Sequence, residues 1–311
     1  MPAPAKSRSR RDRQRNDPEE RLRRNREAQE AAYEAAKVVL DRAAARRDAE
    51  WRAAAEANRR RVFLLLAVPA VVGVIVLLAG IAFPPLLIVG AVLVAGWAAL
   101  AWATWATAAT RLLAGVGGTS PSAAAASGTL RPPGAVRLVD MCEGLCAALG
   151  LPVPELRVLP DRSLNAIAIG RRPEEAAIVV TAGLVDGLDR IELEAVIAHE
   201  LAHVKRLDIA PTALAGSALG RLLLGLAGER GRHRLEGPDR EIRADIAAVA
   251  TTRYPPGMIA ALERISEAGD SRPVSVPASV LEHTSSSWLV PFDAPGSRLA
   301  MNGRLDVLRE L

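Results

Sequence analysis

The run His199-Glu200-Leu201-Ala202-His203 has the residue types and spacing that zinc hydrolysis requires. Residues four apart share a helix face, so both imidazoles can direct a ring nitrogen at one ion while Glu200 stands beside it. The surroundings supply the helix. Asp189 can act as N-cap with Glu192 three residues on, forming a capping box, and the apolar residues from Ile191 to Val204 predict a largely buried element ending before Pro211. A catalytic zinc site keeps three protein ligands and one open position for water, so a further donor is needed. The extended pattern with a glycine and a third histidine is excluded, because Arg206 and Ile209 stand where those residues would fall. The better candidate is Glu241, in Pro238-Asp239-Arg240-Glu241-Ile242-Arg243-Ala244-Asp245, where Pro238 suits a first helical position. Glu241 and Asp245 share a face: one carboxylate can bind the ion while the other accepts the free ring N–H of a ligand histidine.

Three segments together resemble the HtpX-like family of membrane zinc metallopeptidases, relatives of the CAAX prenyl proteases. They are Asn165 to Gly170, Ala176 to Leu184, and Glu192 to Val204, followed by the block Glu241 to Asp245 and by Arg253-Tyr254-Pro255-Pro256-Gly257. The resemblance covers roughly 151–269. It implies His199, His203 and Glu241 as ligands of one zinc ion, Glu200 as catalytic base and Asp245 as the partner that orients a ligand histidine. It also implies polypeptide substrates, with damaged or misfolded membrane proteins among them. The chain departs from the family's C-terminal pattern: Glu282-His283-Thr284 and a run from Pro291 to Gly296 replace the usual Thr-His-Pro segment, with Arg304-Leu305 following.

Such a ligand set lowers the pKa of bound water and polarises a peptide carbonyl, while Glu200 takes the proton and later delivers it to the leaving amine. The developing oxyanion needs a donor besides the ion, and His283, Tyr254 and Arg304 are the candidates. Asn165 to Ile169 or Ile178 to Thr181 could pair with substrate backbone if either has an exposed edge; each could equally be a buried strand.

The elements that must carry this site begin in a membrane. From Val62 to Thr110, 49 consecutive residues bear no charge, with Pro84-Pro85 near the middle, which predicts two spans joined by a tight turn. Trp97, Trp102 and Trp105 fall towards the end of the second span, where interfacial aromatics sit, or where they could pack on the partner helix. The first 61 residues hold 18 Lys plus Arg against 11 Asp plus Glu and end in Arg59-Arg60-Arg61. By the positive-inside tendency the N-terminus and, after two spans, the catalytic domain face the cytoplasm of a multi-pass plasma-membrane protein. With no apolar stretch in the first 30 residues, the first span is expected to be an uncleaved anchor. A third apolar stretch, Ile209 to Ala227, lies between His203 and Glu241. A single crossing there would put the ligands on opposite sides of the bilayer, so a helix packed on the domain or lying at the surface is expected, with a re-entrant hairpin as the alternative.

The expected organisation is a basic, partly helical arm at 1–61, a transmembrane hairpin at 62–110, a flexible linker at 111–135 and the peptidase domain at 136–311. The fold class is α+β, a mostly helical zincin-type domain with a small sheet: a helix over Val136 to Leu149 and a strand over Leu156 to Leu159 open it. The net charge of +5 hides a split, +7 in the first 61 residues and −2 in the rest. The basic arm suits anionic lipid headgroups; with only Tyr33 and Trp51 for stacking, no nucleic-acid partner is expected. Cys142 and Cys146, the only two cysteines, are expected to be core residues of a protein in a reducing compartment. The competing functional readings are a catalytically silent relative that binds peptides, and a membrane scaffold with an incidental motif.

Overall fold

The computed structural model describes residues 45–67, 69–223, 225–226, 239–269, 271–292 and 297–311. A helix ending at Ala67 is followed by α1 (Ala70–Ala79) and α2 (Pro85–Val116). Then come α3 (Pro121–Ala126), α4 (Pro132–Leu149), β1 (Glu155–Leu159), β2 (Ala166–Ile169), β3 (Ala177–Thr181), α5 (Ala182–Gly187), α6 (Arg190–Arg206) and α7 (Ile209–Ala215). The C-terminal part adds α8 (Arg240–Thr252), α9 (Pro255–Ala268), α10 (Ala278–Thr284) and α11 (Ser297–Arg309). The chain is therefore mostly helical with one small sheet, as its apolar periodicity predicts.

The sheet has strand order β1-β3-β2, with β1 parallel and β2 antiparallel to β3. β3 is paired on both sides and offers no edge. β2 is fully buried, and Ala166 O already accepts from Leu289 N at 2.9 Å. Both strands offered by the sequence as docking edges are thus core strands. The sheet and α4 enclose α6 in the main core, whose fully buried members include Leu193, Val196, Ile197 and Leu201. Each such side chain contributes about 1.5–3 kcal/mol by leaving water, so the motif-bearing helix is held on most of its circumference.

Among the described residues one helix, α2, is long and apolar enough to cross a membrane. The first expected span is not a straight helix. It breaks at Pro69, and the segments Ala45–Ala67 and Ala70–Ala79 meet at 49°. Proline lacks an N–H and its ring crowds the carbonyl one turn back, which interrupts the ladder. Trp97 repairs part of the loss by donating Nε1–H to Leu66 O at 2.6 Å. α1 then packs antiparallel on α2 at very close range: a Cβ at Gly90 would stand 2.5 Å from Leu77 N, so only glycine fits there. Of the other tryptophans, Trp105 packs with Leu65 and Leu66 against Val62, whereas Trp102 is 72% exposed.

The segment 111–135, expected to be a flexible linker, is folded. α2 continues to Val116, Thr119 makes a two-way backbone bridge with Val158, and Ser120 caps α3 through the Ala123 amide. Ala124 and Leu130 are 0% and 1% exposed. Its alanines and serines resemble a tether in composition, but a small side chain also fits a tight packing site, and here that outcome prevails. The third apolar stretch begins as α7, buried along its whole length against α2 and β2. Cys142 and Cys146 are free, buried core residues.

Candidate metal centre

α6 begins with the expected capping box: Asp189 Oδ1 accepts from the Glu192 amide at 2.9 Å, and Glu192 Oε2 from the Asp189 amide at 2.8 Å. Arg264 of α9 ties Glu192 further, at 3.0 Å. Ten residues on, His199, Glu200 and His203 are each no more than 1% exposed. α8 crosses α6 and brings Glu241 and Asp245 to the same point; Pro238, the expected first helical residue, lies outside the described residues.

The three candidate ligands converge. His199 Nε2 lies 3.1 Å from His203 Nε2 and 3.2 Å from Glu241 Oε2, and His203 Nε2 lies 3.6 Å from Glu241 Oε1. A tetrahedral ion held at about 2.0–2.1 Å by each ligand requires ligand-to-ligand edges of about 3.3 Å. The other ring nitrogens face carboxylates: His199 Nδ1 is 2.8 Å from Asp245 Oδ1, and His203 Nδ1 is 3.2 Å from Asp208 Oδ2. Those contacts place the Nδ1 protons towards Asp245 and Asp208 and turn both Nε2 atoms towards the Glu241 carboxylate. A cation there would replace the Nε2 proton of His199 and meet three electron-pair donors. Both oxygens of Glu200 are buried and without a hydrogen-bond partner among the described residues, as is Glu241 Oε1.

The electrostatics follow from this crowding. Burial opposes a charge on His199, but Asp245 and Glu241 outweigh it and lift the metal-free imidazole to about 9. Burial raises the Glu200 carboxyl, with the two imidazoles opposing. Burial also acts to raise Glu241, yet His203, His199 and Arg240 hold it well below the usual range. Asp245 is lowered against its burial by Arg304, which donates from Nε and Nη2 at 2.7 Å each and gives Nη1 to Leu289 O at 2.6 Å.

Among the other candidates of the sequence reading, Arg304 therefore stands behind Asp245 with its nitrogens engaged. Tyr254 is half exposed at the start of α9, its ring beside Gly257, which abuts Ile191 at the opposite end of α6 from His203. The side chain of His283 lies outside the described residues. Three residues escaped the sequence reading. Asp208 reaches His203 because Leu207 adopts a left-handed conformation (φ 58°) that ends α6 and turns the chain back; an aspartate five residues past a ligand histidine was the available signal. Asn58 is 3% exposed, donates Nδ2–H to Arg206 O at 2.9 Å and to Asp208 Oδ1, and accepts from Arg61 at 2.9 Å. Arg240, 7% exposed, sits beside Glu241. No local pattern announces the last two.

Comparison with known proteins agrees with this geometry. Residues 135–268 match Peptidase family M48. The Protease HtpX homolog of Dictyoglomus thermophilum is 36% identical over 163 residues, covering 42% of this chain and 54% of the relative. That of Tropheryma whipplei (strain Twist) is 31% identical over 182 residues, covering 47% and 61%. That of Listeria monocytogenes serotype 4a is 29% identical over 203 residues, covering 51% and 64%. The chain thus spans between half and two thirds of the length of these relatives, and no solved structure matches it. Over the segment they cover, the M48 match and these homologues support an HtpX-like assignment.

Proposed function

We propose that this chain is a membrane-anchored, zinc-dependent endopeptidase. The observation that carries the reading is the convergence of His199, His203 and Glu241 next to a buried Glu200 whose two oxygens have no partner. His199, His203 and Glu241 would hold one zinc ion, which when bound supplies Lewis acidity towards water and a peptide carbonyl. Glu200, raised by burial, is placed to take a proton from water and return it to the leaving amine. Asp245 and Asp208 fix the two imidazoles by accepting their Nδ1 protons, and Arg304 acts through Asp245 rather than on substrate.

The membrane part of the proposal rests on α2 and on the apolar surface around it, where Val72, Ile81, Phe83 and Ile88 are each more than 60% exposed. We take α2 and the bent segment before it as two spans, with N-terminus and catalytic domain on the cytoplasmic side. Damaged or misfolded membrane proteins are the proposed substrates, since the domain that carries the site is joined to α2 without slack. The test is metal analysis of the purified full-length protein followed by casein digestion. Stoichiometric zinc with cleavage abolished in Glu200→Gln, zinc retained, supports the reading. Zinc-loaded wild type that leaves casein intact overturns it and leaves a silent peptide-binding relative; protein without metal leaves a scaffold.

A further inference from the structure

The metal centre contains a buried cation with two unused donors. Arg240, at the first position of α8, is 7% exposed, and its Nε and Nη1 are buried and hydrogen-bonded to no group among the described residues. Nη1 stands 3.9 Å from Glu241 Oε1, near enough for charge attraction and too far for a hydrogen bond. Unpaired donors of this kind are costly to bury. Of the seven buried side-chain atoms without a hydrogen-bond partner among the described residues, five belong to three residues of this centre: Arg240 Nε and Nη1, Glu241 Oε1, and both oxygens of Glu200. Arg240 is also close enough to bias the carboxyls of Glu200, Asp208 and Glu241. The guanidinium thus stands beside the ligand carboxylate and within electrostatic range of the base.

We propose that Arg240 is a catalytic residue that donates N–H to the scissile carbonyl oxygen as it gains charge; this rests on the peptidase reading above. In the step concerned, the water oxygen bonds to the carbonyl carbon, the π pair moves onto the carbonyl oxygen, and Glu200 accepts the water proton. When the C–N bond breaks, that pair returns to the carbonyl and the proton on Glu200 passes to the leaving nitrogen. Arg240 transfers no proton; it stabilises the intermediate charge with donors already oriented and already dry. An arginine suits the task because it stays protonated even among three acids. Arg304, the other arginine at the site, is committed to Asp245 and Leu289.

The test uses zinc-loaded, full-length protein in detergent, with kcat and KM measured on an internally quenched peptide and binding of a phosphinic peptide, a tetrahedral mimic, measured by calorimetry. In Arg240→Ala, kcat should fall about 10²- to 10³-fold with KM little changed and zinc content equal to wild type. Phosphinic peptide binding should weaken by a similar factor, while the parent peptide binds Glu200→Gln and the double variant Glu200→Gln/Arg240→Ala alike. Arg240→Lys, which keeps the charge but not the guanidinium, should recover part of kcat; it is read instead if the alanine variant fails to load zinc. Wild-type kcat in either variant, or a loss confined to KM or proportional to lost zinc, overturns the inference alone. A zinc-loaded wild type that cleaves no peptide removes the peptidase reading and this inference with it.

Discussion

The two imidazoles of the centre are braced in different ways. His199 leans on Asp245, which is locked by the guanidinium of Arg304 from the C-terminal helix α11. His203 leans on Asp208, which is held by Arg206 and by the neutral amide of Asn58, from the helix ending at Ala67. One brace is a buried, doubly hydrogen-bonded ion pair. The other depends on a turn and on a residue 150 positions away in the chain. Both braces also draw on residues outside the segment 135–268 that matches the peptidase family. A site of three ligands can therefore be rigid on one side and adjustable on the other.

The comparison can be broken most sharply at Asp245. Asp245→Ala leaves Arg304 buried and uncompensated, a loss of about 3–5 kcal/mol, to be read as a large drop in melting temperature; a melting temperature like that of wild type would contradict the ion-pair account. The His199 side also predicts a pH dependence. Its metal-free pKa is raised from 6.5 to about 9, so the stability it contributes is complete below 6.5 and is lost as pH rises through 9. Zinc must displace that proton, so zinc affinity should rise about tenfold per pH unit between those limits and level off above them. Calorimetry in buffers of different ionisation enthalpy would count the proton; release of none refutes it.

On the other side, Asp208→Asn should weaken zinc binding by about 10- to 100-fold, measured by competition with a chelator, with less effect on melting than Asp245→Ala. Smallest is Asn58→Ala, which removes the hydrogen bonds to Asp208, Arg206 O and Arg61 and should cost about 1.5–3 kcal/mol. Its sharper signature is weaker zinc retention, partly restored by Asn58→Gln if the amide is what matters. Equal zinc retention in Asn58→Ala would mean that the two braces do not differ as described.

What was legible in the chain is what local chemistry specifies. The capping box, the four-residue spacing of the histidines and of Glu241 with Asp245, and the β-branched run Ile178 to Thr181 each declare their element within a few residues. The break at Pro69 was missed, because the uncharged run around it reads as one continuous span. Asp208 escaped because the turn that delivers it depends on Leu207 taking a left-handed conformation, which leucine does not signal. Asn58 and Arg240 escaped because their roles exist only after helices distant in sequence have packed. The segment at 111–135 misled because small residues serve slack chain and tight packing alike.

That folded segment has one further consequence. α2 passes through Val116 into the Thr119 bridge on β1, and β1 pairs with β3, which leads into α5 and then α6. If α2 spans the bilayer and the centre works as proposed, the metal would sit at a set height above the lipid with no leash to extend its reach. A target would then have to bring its cleavable bond to that height, and the architecture would act as a ruler that selects by distance from the membrane before any side-chain preference is consulted.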